Sequence, residues 1–188
     1  MDKKPNIIFE DDSIIVIDKP AGMIVNRADT TRAYLTVQEW VEKKVKLEES
    51  SGEEESEFHN RGGIVHRLDK ETSGILVIAK DEESFKNLQA QFKSREVKKT
   101  YIALVHGDLT PAEGEVNVPI GRLPWNRTKF GFLPEGRESR TLYKKVATKK
   151  YTNDKAEEIL SLIDVFPQTG RTHQIRVHMR YLNHPHIS

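Results

Sequence analysis

An α+β fold built on a largely antiparallel, mixed sheet flanked by helices is what this 188-residue sequence predicts. Three observations carry that expectation. Short runs rich in apolar and β-branched residues recur between turn residues. Segments with apolar residues at helical spacing are interspersed among them. The chain has no internal repeats, and its length suits one domain, 1–188, with a sizeable core.

Taken in order, 6–10 and 13–18 are β-rich runs split by Asp11-Asp12, as in a hairpin. Lys19-Pro20-Ala21-Gly22 turns the chain, because proline fixes φ and glycine permits φ > 0. Thr36 and Glu39 have capping-box spacing, and Val37, Trp40, Val41 and Val45 follow at helical intervals, so a helix is expected over 36–47. The stretch 48–60 is acidic and Ser-rich, and its part 48–57 is nearly free of apolar residues; a mobile loop is expected there. Strands are expected at 64–68 and 74–79, around a polar stretch at 69–73. Asp81 can cap a helix with Phe85, Leu88 and Phe92 on one face. A strand over 100–105 ends at His106-Gly107. Residues 108–138, rich in Pro, Gly and Arg, allow only short strands. Two longer strands, 140–148 and 159–166, flank a polar turn, and 172–182 reads as a helix with Ile175, Met179 and Leu182 towards the core.

Composition narrows the function. Apolar residues make up 36% and charged residues 31%, a globular profile with a charged surface. No run approaches the ~20 apolar residues of a membrane span, and there is no cysteine, so thiolate chemistry is excluded and a cytoplasmic home is expected. Residues 1–60 hold eight Lys/Arg against fourteen Asp/Glu, a net −6; the remainder holds 22 against 15, a net +7. A basic C-terminal part admits a polyanionic partner such as nucleic acid, and equally a merely solvated surface.

Two stretches can carry chemistry. In His66-Arg67-Leu68-Asp69-Lys70-Glu71-Thr72-Ser73-Gly74 a carboxylate sits among three potential cations. These are the positive surroundings an anionic nucleophile needs, but local chemistry alone favours an Asx-turn aspartate over that reading. In Gly170-Arg171-Thr172-His173-Gln174-Ile175-Arg176-Val177-His178, two arginines, a threonine and a histidine open a helix, where free N–H groups suit anions. A polar helix face with a threonine cap is the alternative. His173 and His178 lie five apart and do not share a helical face, so no metal site is expected. The glycines fit neither nucleotide fingerprint.

Together these stretches make the chain similar to the RluA-like pseudouridine synthases. Lys19–Met23 resembles that family's early Lys-Pro-x-Gly segment. His66–Gly74 matches its signature at every fixed position, Lys99–Gly107 resembles its Lys-x-Tyr segment, and Gly170–His178 its Gly-Arg-x-His-Gln segment. The resemblance implies a catalytic domain with a central active-site cleft and isomerisation of uridine to pseudouridine in RNA, without metal or cofactor. It places Asp69 as the essential aspartate, Tyr101 against the target base and Arg176 as the aspartate's partner. It places Arg67 in displacing the base, groups His66, Arg171 and Lys99 with the RNA-facing set, and leaves His66, Thr72 and Ser73 shaping the loop.

The expected partner is RNA, ribosomal RNA first and transfer RNA second; no membrane is expected, and a monomer is. Lys98, Arg122, Arg127, Lys129, Arg137 and Arg140 are further candidates for RNA contact, with Trp125 and Phe130 as stacking platforms. Relatives often carry an N-terminal S4 domain, for which this chain has no room. Asn183-His184-Pro185 begins the family's closing pattern and stops, as in a shortened chain or a degenerate copy. The rival reading is a non-catalytic RNA-binding or RNA-chaperone protein on the same scaffold.

Overall fold

A computed structural model describes residues 4–28, 35–45, 56–153 and 156–187, which fall into two compact units, Met1–Glu96 and Val97–Ser188. Every ladder among the described residues is antiparallel. The strands form three sheets, of three, four and two strands, where one was expected.

The first unit is built on strands β1 (Asn6–Glu10), β2 (Ile14–Lys19) and β3 (Gly74–Ala79), with β2 in the middle. Alternation along β2 turns Ile15, Ile17 and Lys19 to the buried face. Helix α1 (Val37–Lys44) starts at the expected capping box: Glu39 N–H donates to Thr36 Oγ1 at 3.2 Å, and Thr36 N–H donates to Glu39 Oε2 at 3.0 Å. Its buried Gln38 reaches out of the helix, donating from Nε2 to the Asn60 carbonyl at 3.0 Å.

Of the expected acidic loop, 48–55 lie outside the described residues. Its end is a helical turn instead, α2 (Glu57–Asn60), because Phe58 is buried edge-on against Phe85 with ring centroids 5.7 Å apart. Burying such a side chain is worth about 2–3 kcal/mol, enough to order a short polar turn around it. Helix α3 (Glu82–Ser94) is capped by Asp81, which accepts from Ser84 N–H at 2.7 Å, and it packs Phe85, Leu88 and Phe92 inward as its spacing predicts.

The expected strand at 64–68 does not form. Only Ile64 bridges β3, opposite Ile78. The next donor on that edge of β3, Val77 N–H, goes to the His66 ring, whose Nε2 accepts it at 3.0 Å. A side chain has replaced the backbone partner, so the ladder stops after one bridge and 65–73 run as an irregular loop. Gly63, at φ +69, permits the close start: a Cβ there would lie 2.1 Å from the Ala79 carbonyl oxygen.

The second unit holds β4 (Tyr101–His106), β5 (Glu113–Asn117), β6 (Ile120–Leu123), β7 (Asn126–Phe132), β8 (Arg140–Asn153), β9 (Ala156–Pro167) and helix α4 (Gln174–Tyr181). Four strands make a sheet in the order β4-β9-β8-β5, while β6 and β7 form a separate two-stranded ribbon. The core joins the buried face of the sheet (Val105, Val116, Tyr143, Ile163, Val165) to Met179, with Ile175 and Leu182 packed beside it.

The polar turn expected at 149–158 is shorter than predicted. The β8–β9 ladder runs on to Asn153 opposite Ala156, with Lys150 facing Ile159 and Tyr151 facing Glu158. A polar strand is stable where water covers its exposed side and opposite charges or aliphatic stems pair across it. The segment 184–187 lies along the outer edge of β4, where Ile187 N–H donates to the Leu104 carbonyl and His106 N–H to that of Pro185.

Candidate active site

The expected site residues divide between the units. His66, Arg67 and Asp69 lie in the first, on the loop between the Ile64 bridge and β3; Lys99, Tyr101, Arg171 and Arg176 lie in the second.

The Asp69 loop is held from beneath. Its turn is closed through the main chain, Thr72 N–H donating to the Asp69 carbonyl at 3.1 Å. The next carbonyl, that of Lys70, accepts from Gly22 N–H at 2.8 Å and from the Lys19 ammonium at 3.1 Å. Lys19 is fully buried, and its Nζ also donates to the carbonyls of Met23 at 2.7 Å and Pro20 at 3.0 Å. Burial pushes the Lys19 pKa down to about 8, against the opposing pull of the Glu71 and Asp69 carboxylates. The group therefore stays charged at neutral pH and ties the Lys19–Met23 segment to the Asp69 loop by charge-assisted bonds.

His66 fixes the other end of the loop. Its ring stacks on Phe92 with centroids 4.6 Å apart, and accepting at Nε2 puts its proton on Nδ1. Asp69 itself is half-exposed and Arg67 exposed.

The sequence reading missed Lys19 as more than a motif residue. The signal was available: a lysine two positions after Ile17 and four after Ile15 falls on the inward face of a strand.

In the second unit, Tyr101 opens β4 opposite Val165 and packs, half-buried, against the core cluster. Lys99 lies beside Gly170: a Cβ on that glycine would be 3.6 Å from the lysine nitrogen. Arg171 and Arg176 are partly exposed.

The helix α4 starts two residues later than expected. Its N-cap is His173, at φ +55, not Thr172, and the His173 side chain caps nothing. The reason is Gln174, which is buried and uses both ends of its amide. Its oxygen accepts from Thr169 Oγ1 at 2.7 Å and from Arg171 N–H at 3.0 Å. Its nitrogen donates to the Arg140 carbonyl at 3.0 Å and to Thr141 Oγ1 at 2.9 Å. Arg171 is further braced, its Nε donating to the Glu138 carbonyl at 3.1 Å.

His178 continues the same network and is a core residue, not a ligand. Thr141 Oγ1, already accepting from Gln174, has its hydroxyl proton left for His178 Nδ1 at 2.8 Å, while Nε2–H donates to the Val118 carbonyl at 3.2 Å. Burial lowers the His178 pKa below 6.5, against the contrary effect of the Val118 carbonyl. The sign follows from linkage. Below about pH 6.5 the unfolded chain takes up a proton that the native state refuses, so stability falls as pH drops through and below that value. His178→Gln is expected to flatten the fall in melting temperature between about pH 7 and 5. An unchanged slope would mean that the imidazole is protonated in the native state.

Arg140, a candidate RNA contact, is already committed: its Nε and Nη2 donate to the two oxygens of Glu115 at 2.8 and 2.7 Å. No described helix is long and apolar enough to cross a membrane.

The first unit thus holds a braced carboxylate loop and the second an arginine-bearing helix, in an α+β protein built on antiparallel sheets. The model for RNA pseudouridylate synthases matches residues 13–181. An uncharacterized RNA pseudouridine synthase of Aquifex aeolicus is 39% identical over 190 residues, covering 98% of this chain and 56% of the relative. The ribosomal large subunit pseudouridine synthase D of Nitrosomonas europaea is 38% identical over 179 residues, covering 95% and 47%. In three dimensions the chain resembles human RNA pseudouridylate synthase domain containing 1, with a TM-score of 0.75 and 23% identity over 100% of this chain and 69% of that one. The chain belongs to the RNA pseudouridylate synthase family. It spans about half the length of the curated relatives it matches.

Proposed function

We propose that this protein isomerises uridine to pseudouridine in RNA, with Asp69 as the essential carboxylate and both units serving one catalytic domain. The observation that supports this best is the bracing of the Asp69 loop by Lys19, Gly22 and His66, which fixes the backbone that carries the half-exposed Asp69. Preorganisation of that kind is what a reacting group needs and a solvated turn does not.

The reaction breaks the bond from uracil N1 to ribose C1′, turns the base and joins C5 to C1′. N1 gains a proton and C5 loses one, so atoms balance without redox chemistry or an energy source. Asp69 assists cleavage at C1′, by adding there or by removing the 2′ proton to give a glycal. A stacked base is out of reach, so the nucleotide flips into a pocket, with Arg67 displacing the base and Tyr101 against its face. Arg176 holds the carboxylate ionised and oriented. Lys99 and Arg171 contact the RNA backbone. Since relatives carry the name ribosomal large subunit pseudouridine synthase D, the substrate we propose is large-subunit ribosomal RNA, with transfer RNA as the alternative.

Arg176→Ala is expected to lower kcat by about 10²-fold or more while changing RNA affinity little, because it acts on the carboxylate. Equal losses in kcat and affinity would indicate a phosphate contact. Mapping pseudouridines in RNA from cells with and without the gene tests the function. A missing site supports it, and identical maps favour a protein that binds RNA without modifying it.

A further inference from the structure

The β6–β7 ribbon is joined by the two residues Pro124 and Trp125, and Trp125 is 78% exposed at its tip. Residues 120–132 carry Arg122, Arg127 and Lys129 and no carboxylate. The Arg122 guanidinium lies 4.9 Å over the Phe130 ring, which meets His173 edge-on at 5.7 Å. Beside the ribbon lies a groove of about 500 Å³, lined among others by Arg122, Phe130, Glu135, Arg137, Arg171 and Thr172. None of its three arginines forms an ion pair with a carboxylate among the described residues. The volume is that of a small-ligand site.

An exposed tryptophan alone needs no explanation. One at the tip of an all-basic ribbon, beside an arginine-lined groove, has the two parts of a single-strand site. Arg122 donates from Nη1 to the Arg127 carbonyl at 2.8 Å; a guanidinium stacked on an aromatic face can offer its remaining edge N–H groups to an anion. Trp125 offers a flat face to a base that has left its stack. Paired RNA hides its base faces, so the fit is to an unpaired strand.

We propose that the ribbon and groove are a docking site for single-stranded RNA, with phosphates on Arg122, Arg137 and Arg171 and an unpaired base on Trp125. This rests on the reading of the protein as an enzyme acting on RNA. It extends the RNA contact of Arg171 to Arg122, Arg137 and a stacking face on Trp125, which would choose unpaired regions of the RNA.

The test is a fluorescence titration of the full chain with a labelled single-stranded oligouridylate and with a duplex RNA of equal length. Trp125→Ala is expected to weaken single-strand binding about tenfold, with Trp125→Phe restoring most of it. Arg122→Ala and Arg137→Ala are each expected to weaken binding and to lower the slope of log K against log salt by about 0.7. Trp125 is so exposed that its variants should melt with the parent. Unchanged affinity in Trp125→Ala and in both arginine variants overturns the proposal, as does an equal effect of Trp125→Ala on duplex and single strand. Pseudouridine formation by the same preparations separates the two ideas. If the affinities respond but the parent makes no pseudouridine, the docking site stands and the catalytic reading fails. If the parent is active and no affinity moves, the reverse holds.

Discussion

Asp69→Asn is expected to leave the protein folded and to remove pseudouridine formation, by a factor on the order of 10⁴ or more. The fold should survive because the loop is anchored at several points besides that carboxylate: the Lys70 carbonyl, the Thr72 amide and the His66 ring. Activity should not survive, because an amide can neither add to C1′ nor take the 2′ proton. Melting temperature and pseudouridine yield, measured on the same preparation, check both halves. Turnover within about tenfold of the parent would remove Asp69 from the chemistry and return it to the role of a turn residue.

Lys19→Met is expected to destabilise the first unit by about 3 kcal/mol and to lower activity with it. Two effects compete. Burying an ammonium is unfavourable, as its pKa of about 8 records, and methionine removes that penalty. Methionine also leaves the carbonyls of Pro20 and Met23 without the ammonium donor, and that of Lys70 with the Gly22 amide alone. Unmet acceptors away from water cost about 1–3 kcal/mol each, and two of them outweigh the relief of one charge. The loss should appear in the midpoint of urea unfolding. It should appear also as faster hydrogen exchange at Gly22, whose amide shares the Lys70 carbonyl. A variant more stable than the parent would show that desolvation of the charge dominates, and that the loop is held by other means.

Much of the fold was legible because local signals agreed with burial. The capping box at Thr36 and Glu39, the cap at Asp81 and the alternation along β2 each state one structure and meet no competitor. What was not legible depended on partners distant in sequence. An apolar run at 64–68 reads as a strand until the His66 ring takes the Val77 amide that would have continued the ladder. The polar residues 149–153 read as a turn because period alone does not show that Ile159 and Glu158 lie opposite them. Phe58 sat unnoticed in an acidic stretch, although a lone aromatic in such a run is a core candidate.

The site shows the same division. Asp69, Tyr101 and Arg176 stand out only through the motifs that resemble the family's, since local chemistry alone does not single them out. Their supports do not stand out. Gln174 and His178 look like parts of a polar helix face, yet both are buried and satisfy one network through Thr141. Lys19 looks like a surface lysine before a turn, yet it binds the loop that carries the aspartate.

The proposed reaction joins uracil C5 to ribose C1′ without breaking the RNA. RNA carrying tritium at uridine C5 tests it most directly, because each turnover replaces the C5–H bond and passes that hydrogen to water. The prediction is tritium release in step with pseudouridine formation by the parent chain, none from Asp69→Asn, and RNA of unchanged length. RNA that binds with its tritium retained would contradict the account and leave a protein that recognises RNA without rearranging it.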